Sequence, residues 1–341
     1  MIKSWLIISL ALLYTATVSV DEVYAGLKLD STVKERRPLL PDSLTLKNSP
    51  PPEILTPRRF ATTPDDELIG EKKIEHLVKA NENLMELARV YGLGFNEIAL
   101  ANHGVDPWEP KPGTKLTVSS VRILPGLDEQ ADIIINIPEM RLYHRWQTGW
   151  IDTYAIGVGR EGFATPTGDT SLVSKRALPS WYVPKSIRLE KPELPAVVLP
   201  GPENPLGSHA LYLAMRGYLL HGTNQPFGIG RRVSHGCIRL YPEDVKTFFA
   251  NAKIGSKVRL VHEPVKAGWR SDKLFIEVYP IFAEEVGANR EAKLSALATS
   301  VVGKALERRP DLVVQVDWSE VDRFVNKPDG VPHQIGWVVS E

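Results

Sequence analysis

Residues 233–240 read VSHGCIRL and contain Cys237, the only cysteine of the 341-residue chain. The sequence HGT at 221–223 precedes this thiol by 16 residues. A free thiol is only a few per cent ionised at neutral pH, so a nucleophilic cysteine needs a nearby base or cation. His221 and His235 are candidates for the base, and Arg239 is a candidate for the cation. The pattern therefore predicts acyl transfer by a Cys/His pair.

The glycine before the cysteine adds a second feature of such a site. Gly236 allows a substrate to approach the backbone closely, and the N–H groups of Gly236 and Cys237 are suited to bind a developing oxyanion. Two alternatives remain open: a buried structural thiol, and a metal site made of His221, His235 and Cys237. No carboxylate stands at ligand spacing in this loop, which disfavours the metal, and the predicted chemistry needs no metal or organic cofactor.

The region around this motif, residues 128–263, has the pattern of a β domain. Ile133, Ile135 and Ile137 alternate with their neighbours, as expected of a half-buried strand. Further strands are predicted at 151–158, 211–213, 218–220 and 257–261, with one helix at 244–252 and proline-rich loops over 179–205. We expect a mainly β catalytic domain, a sandwich or a barrel, with the sandwich-like form as the working prediction.

Residues 75–119 have a different pattern, which predicts a small βααβ unit. Four apolar residues share one helical face: Leu84, Leu87, Ala88 and Tyr91. Asn81 or Asn83 is suited to cap this helix, and Gly92 and Gly94 stand where a helix end is expected.

The C-terminal extension, residues 264–341, is predicted to be α+β. It contains an alternating strand at 273–279 and a helix at 289–308. That helix places four apolar residues on one side: Leu294, Leu297, Val301 and Leu306. No catalytic motif occurs here, so we interpret the segment as a cap or a partner surface.

The N-terminus is typical of an exported protein. Lys3 precedes an uncharged apolar run at 5–20, and small side chains before position 26 favour cleavage of a signal peptide after Ala25. An uncleaved membrane anchor is the alternative, although the run is short for a spanning helix. Residues 26–74 are proline-rich and read as a tether or an extended packing segment. The chain has 41 basic and 41 acidic residues, so its charge gives no reason to expect a nucleic-acid partner.

Several separated motifs together resemble the YkuD-type L,D-transpeptidases. They are TPTG at 165–168, GPENPLG at 201–207, HGT at 221–223, IG at 229–230 and SHGCIRL at 234–240. The 75–119 unit resembles a LysM module, which binds the N-acetylglucosamine-containing glycan of cell walls. The matching positions are HLVK at 76–79, Leu84, LA at 87–88, YG at 91–92, Asn96, Asn102 and PKPGTKL at 110–116. NEN at 81–83 departs from the usual Gly-Asp-Thr of that module, so sugar-contacting residues are not assigned.

The resemblance implies a periplasmic enzyme that acts on peptidoglycan stem peptides. Cys237 would attack the meso-diaminopimelate carbonyl of a tetrapeptide stem, expel D-alanine and form a thioester, with His221 as proton acceptor and donor. His235, Gly236 and Ser234 would support the loop or the oxyanion, while Arg239 and Gly222 are the candidates for substrate binding. Some relatives carry Ser at position 222, and Gly222 leaves only a backbone carbonyl to orient His221.

The acyl acceptor is open at this stage. It is either an amine of a second stem or the C-terminal lysine of an outer-membrane lipoprotein, and the order of modules leans towards lipoprotein anchoring. With water as acceptor the same acyl-enzyme makes an L,D-carboxypeptidase or an amidase. A non-catalytic wall-binding protein, with an inert Cys237, is the remaining alternative.

Overall fold

The computed structural model of the chain describes residues 58–63, 66–71, 73–126, 131–282, 284 and 289–339. The predicted signal peptide (1–25) and most of the proline-rich segment (26–74) lie outside these ranges, and what we expect of them stays a prediction. Over the described ranges, no helix combines the length and the apolar character that crossing a membrane requires.

Strands dominate the described residues, and the helices are fewer. The strands are β1 (Arg59–Ala61), β2 (Leu68–Ile69), β3 (Lys73–Leu77), β4 (Lys115–Ser119), β5 (Arg122–Ile123), β6 (Ile133–Asn136), β7 (Arg141–Gln147), β8 (Trp150–Gly159), β9 (Gly168–Ala177), β10 (Trp181–Tyr182), β11 (Val197–Val198), β12 (His209–Leu213), β13 (Leu219–His221), β14 (Arg232–Ser234), β15 (Ile238–Leu240), β16 (Lys257–Val261), β17 (Val265–Arg270), β18 (Lys273–Val278), β19 (Val314–Val316) and β20 (His333–Val338). The helices are α1 (Leu84–Val90), α2 (Phe95–Ala101), α3 (Lys185–Glu190), α4 (Pro242–Asn251), α5 (Arg290–Glu307) and α6 (Trp318–Asn326).

The catalytic region forms a sheet that closes on itself like a barrel. Its strands follow the order β8-β15-β13-β12-β9-β16-β6-β7, and β7 pairs again with β8, while β1 and β14 are added alongside β8. The buried face carries aliphatic residues from every strand of this ring, and helix α4 adds Val245 and Phe248 to the same core. Interior side chains fill a ring of eight strands, so no second sheet is needed to cover the apolar face. The prediction of a mainly β domain is confirmed, but the sandwich-like form is wrong, because the β7–β8 pairing closes the sheet into a barrel-like ring.

The βααβ order predicted for 75–119 is confirmed. Strands β3 and β4 pair in antiparallel register and enclose the two short helices. Of the two candidate caps, Asn83 caps helix α1, because its side-chain oxygen accepts from the N–H of Glu86 at 2.9 Å. Gly92, with φ of +68°, ends the helix in the left-handed region that favours glycine.

Buried ion pairs join this βααβ unit to the barrel. Glu97 on α2 accepts from Arg122 and from Arg141, each at 2.6 Å, and all three side chains are almost fully buried. Arg141 belongs to strand β7 of the barrel. The unit therefore packs against the catalytic domain through a buried ion pair.

The C-terminal extension has the predicted α+β character. A four-stranded antiparallel sheet, ordered β17-β18-β20-β19, packs against helices α5 and α6. Only Leu294 is fully buried among the four residues predicted for the buried side of α5. The other three are partly buried at the edge of the core: Leu297, Val301 and Leu306. Small side chains fill the centre instead, namely Ala298, Val302 and Ala305, because the helix lies close to the sheet.

Candidate active site

The sheet topology brings Cys237, His221 and Arg239 to one place. Strands β13 and β15 are parallel, with Leu220 opposite Ile238 and His221 opposite Arg239. Leu220 and Ile238 point into the barrel core. Because side chains alternate along a strand, the residues on either side of them face outwards together. The thiol of Cys237 lies 3.7 Å from the carbonyl of Gly217, on the loop that enters β13.

His221 is buried and held by a backbone carbonyl. The residue is only 4% exposed to solvent, and its Nδ1 lies 2.6 Å from the carbonyl oxygen of Gly222. A carbonyl only accepts, so this contact assigns a proton to Nδ1, and the backbone carbonyl of Pro205, a residue without an N–H, is a second acceptor for the ring. Burial, followed by the positive charge of Arg239, lowers the pKa of His221 to about 3. At neutral pH the imidazole is therefore uncharged and able to accept a proton.

Gly222 has a positioning role in this structure. It is buried, its carbonyl binds His221, and its N–H donates to the carbonyl of His209 at 3.0 Å. Both backbone groups are thus engaged within the protein, and the substrate contact predicted for Gly222 has no exposed group to support it.

Cys237 is partly buried, and burial raises the pKa of its thiol above the ordinary value. A backbone hydrogen bond with Leu219 and the charge of Arg239 act in the opposite direction. The resting pair is therefore a neutral thiol beside a neutral imidazole. Such a pair requires general-base catalysis, in which the proton leaves as the sulfur attacks.

The loop before the cysteine is held by Ser234. The Ser234 hydroxyl donates to the carbonyl of Cys237 at 2.6 Å and accepts from the N–H of Gly236 at 3.1 Å. In this conformation the Gly236 N–H is bound to the Ser234 hydroxyl, so its oxyanion role stays a prediction that would require this bond to open. The backbone N–H groups of His235 and Cys237 remain as the candidates.

Thr165 also holds this loop, a role that sequence reasoning missed. Its hydroxyl donates to the carbonyl of Gly236 at 2.9 Å and accepts from the N–H of Gly159 at 2.9 Å. Gly236 itself has φ of +100°, and a Cβ added there would lie 2.8 Å from the ring of Tyr218. The TPTG motif at 165–168 was the available signal, but it did not indicate which partner the threonine binds.

The ring of His235 belongs to a cluster beside the loop. Its Nε2 lies 3.0 Å from Arg160 and 3.1 Å from Glu190, which pair with each other at 2.7 Å. The ring of Phe163 packs edge-on against it, with 4.6 Å between centroids. These contacts fit the predicted role of the His235 ring in holding the loop.

The βααβ unit contacts the loop that borders the site. At the start of α2, the N–H of Phe95 donates to the carbonyl of Ile229 and that of Asn96 to the carbonyl of Gly230, both at 3.2 Å. A Cβ added at Gly230 would meet Phe95 N at 2.1 Å, so this close approach requires glycine.

Comparison with known proteins agrees with this geometry. Residues 130–260 match the family model described as YkuD, the L,D-transpeptidase catalytic domain. The chain is 40% identical over 230 residues to the probable L,D-transpeptidase YcfS of Escherichia coli. This match covers 64% of the present chain and 71% of YcfS. Similarity to YbiS of the same species is 36% over 279 residues, covering 79% of this chain and 89% of the relative.

The chain belongs to the L,D-transpeptidase family. A third relative, ErfK/SrfK of Escherichia coli, is 33% identical over 277 residues and covers 79% of this chain and 87% of its own length. As a member of this family the protein is an acyltransferase that acts on peptidoglycan.

Proposed function

We propose that the protein is a cysteine-dependent peptidoglycan L,D-transpeptidase with Cys237 as nucleophile and His221 as general base. The contact between His221 Nδ1 and the Gly222 carbonyl carries this proposal, because it fixes the imidazole at the end of β13, next to the strand that begins directly after Cys237. With its pKa lowered to about 3, His221 is uncharged at working pH, and a base this weak accepts the thiol proton only as the sulfur attacks, in one concerted step.

The first half-reaction forms a thioester. His221 takes the thiol proton while the Cys237 sulfur attacks the meso-diaminopimelate carbonyl of a tetrapeptide stem. The N–H groups of Cys237 and His235 stabilise the oxyanion. When the carbon–nitrogen bond breaks, His221 returns the proton to the leaving D-alanine amine. The positive charge of Arg239 favours the sulfur anion as it develops.

The second half-reaction transfers the acyl group to an amine. His221 accepts a proton from the attacking amine, the thioester breaks, and Cys237 regains its proton. The amine belongs to a second stem or to the C-terminal lysine of a lipoprotein. Muropeptide profiles of a deletion strain separate the two: the first loses diaminopimelate–diaminopimelate dimers, and the second loses lipoprotein-bound muropeptides. Release of free tripeptide stem by the purified enzyme, without any amine adduct, would instead identify hydrolysis.

The rest of the chain fits an enzyme that works in the cell wall. We propose that residues 1–25 direct export to the periplasm and that the βααβ unit is a LysM module that binds glycan. Its contacts with residues 229–230 would then hold the glycan-binding unit at a constant distance from Cys237.

Mass spectrometry of the intact protein tests the proposal. The chain from residue 26 is mixed with a purified tetrapeptide muropeptide, alongside Cys237→Ala, His221→Ala and the control His333→Ala in the C-terminal extension. We expect an adduct equal to the stem minus D-alanine in the wild type and the control. Cys237→Ala should form none, and His221→Ala should acylate about 10²–10⁴-fold more slowly. Turnover by Cys237→Ala, or normal acylation by His221→Ala, would contradict the mechanism.

A further inference from the structure

The βααβ unit contacts the barrel at both ends of the stretch that carries the catalytic motif. We call residues 229–243 the catalytic segment, because Cys237 and Arg239 lie inside it. Helix α2 of the unit meets this segment where it begins. Helix α1 and the turn after it meet the segment where it ends. A shift of the unit against the barrel would therefore act on both ends of the segment.

The first contact joins two stretches of backbone. The N–H groups of Phe95 and Asn96 begin helix α2 and have no carbonyl to bind within the helix. The loop supplies these carbonyls from Ile229 and Gly230, each at 3.2 Å. A Cβ added at Gly94 would lie 2.8 Å from the Cα of Gly230, so a glycine in the unit and a glycine in the loop permit this close approach. The start of the catalytic segment is thus bound to the start of helix α2.

The second contact is made by buried side chains. The hydroxyl of Tyr241, four residues after Cys237, donates to the carbonyl of Leu93 at 3.0 Å. Arg89 of helix α1 binds both carboxylate oxygens of Glu243, at 2.9 and 2.8 Å. A bidentate pair between arginine and a carboxylate is strong and directional, and Arg89 is only 9% exposed. The end of the catalytic segment is thus bound to helix α1 and its following turn.

The two ends of the segment meet at a common base. Ile229 and Tyr241 form one small buried cluster with Ala155 of strand β8. Strands β14 and β15 connect this base to Cys237 from either side, and each is three residues long. His221 belongs to β13, outside the segment. A displacement of the base would therefore move the sulfur relative to the imidazole.

We propose that the docked βααβ unit positions Cys237 against His221, with Arg89 and Tyr241 as positioning residues, so that acylation requires these contacts even when the substrate carries no glycan. This rests on the proposed function. Transfer of the thiol proton needs sulfur and imidazole within hydrogen-bond reach, and a misplacement of about 1 Å can cost about 100-fold in rate. A unit that served only to bind glycan could do so from a flexible linker, without contacts to the catalytic segment.

Acylation of two donors tests the proposal: a free tetrapeptide stem without sugar, and the muropeptide that carries it. Arg89→Gln opens the pair with Glu243, and Tyr241→Phe deletes only the hydroxyl. Both variants should lower kcat about 10-fold or more with either donor, while KM changes less than about threefold. Arg89→Lys keeps the charge and should recover part of kcat. The control is Arg323→Gln, which opens a surface pair with Glu320 on helix α6 and should react at the wild-type rate.

The outcomes separate positioning from the other roles of these contacts. A loss confined to the donor that carries sugar would assign the contacts to glycan delivery and overturn the proposal, as would wild-type rates in both variants. A loss no larger than the unfolded fraction, measured by circular dichroism under the assay conditions, would assign them to stability alone and overturn it as well. Should Arg89→Gln not fold, Tyr241→Phe decides, because it retains the buried ring. If the wild type acylates with neither donor, the proposed function itself fails, and the positioning role fails with it.

Discussion

Glu97→Gln tests whether the buried ion pairs hold the βααβ unit on the catalytic domain. The carboxylate of Glu97 accepts from Arg122, from Arg141 and from the N–H of Gly94, each at 2.6 Å. The amide of glutamine keeps the size of the side chain but removes its charge. Two buried guanidinium groups would then face each other with no anion between them.

The magnitude follows from the pKa of the carboxyl group. The two arginines, helped by the Gly94 N–H, overcome the burial penalty and lower the pKa of Glu97 from 4.5 to about 2. This difference corresponds to about 3 kcal/mol of folding free energy, within the range typical of a broken buried ion pair. Because the folded-state pKa is depressed, this contribution is present above pH 4.5 and is lost as the pH falls towards 2.

Urea unfolding at pH 7 measures the effect. We expect Glu97→Gln to lose about 3 kcal/mol, with faster amide exchange in helices α1 and α2. Glu75→Gln is the matched control, because Glu75 pairs with Lys115 on the surface and should lose at most about 0.5 kcal/mol. A loss for Glu97→Gln as small as that of the control would refute the assigned role, and so would wild-type stability that stays constant between pH 4.5 and 2.

Four further predictions concern the active site and Lys266 in the C-terminal extension. Thr165→Val should slow acylation about 10-fold or more, because it removes the hydroxyl that links Gly159 to Gly236. Thr165→Ser keeps this hydroxyl and should retain most of the rate. Equal acylation rates in the two variants would contradict the role of Thr165. The thiol of Cys237 should react with iodoacetamide at a rate that rises with pH through a midpoint above the ordinary thiol pKa, and a plateau already reached at pH 7 would contradict it. Acylation should show no protonation step between pH 5 and 8, since the His221 pKa lies near 3, and a step near pH 6.5 would refute the neutral pair. Lys266→Met should destabilise the fold by about 3 kcal/mol or more in urea unfolding, because it leaves the buried carboxylates of Glu139 and Glu277 without the lysine that pairs with both. A change below about 1 kcal/mol would show that these two groups are neutral.

Much of the local structure was predictable because it depends on short-range periodicity. The i, i+3, i+4, i+7 pattern of residues 84–91 predicted helix α1, and the alternating isoleucines at 133–137 predicted strand β6. The single Cys237 with His221 before it predicts Cys/His acyl transfer, which stays a prediction; the structure adds that parallel strands bring these two residues close together. The pairing of β7 with β8, which closes the sheet, could not be predicted from the sequence, because no local pattern specifies which edge strands pair.

The details of the site depend on contacts between distant parts of the chain. Thr165 bonds to Gly236 across 71 positions, and no spacing rule predicts such a contact. The Gly236 N–H illustrates the same limit: its residue type allowed an oxyanion role, but the Ser234 hydroxyl occupies it. The sequence thus identifies which groups can react, because reactivity belongs to residue type. The tertiary structure alone decides where each hydrogen-bond donor points and how far each pKa shifts. Folding excludes water from these groups and places particular charges and carbonyls next to them.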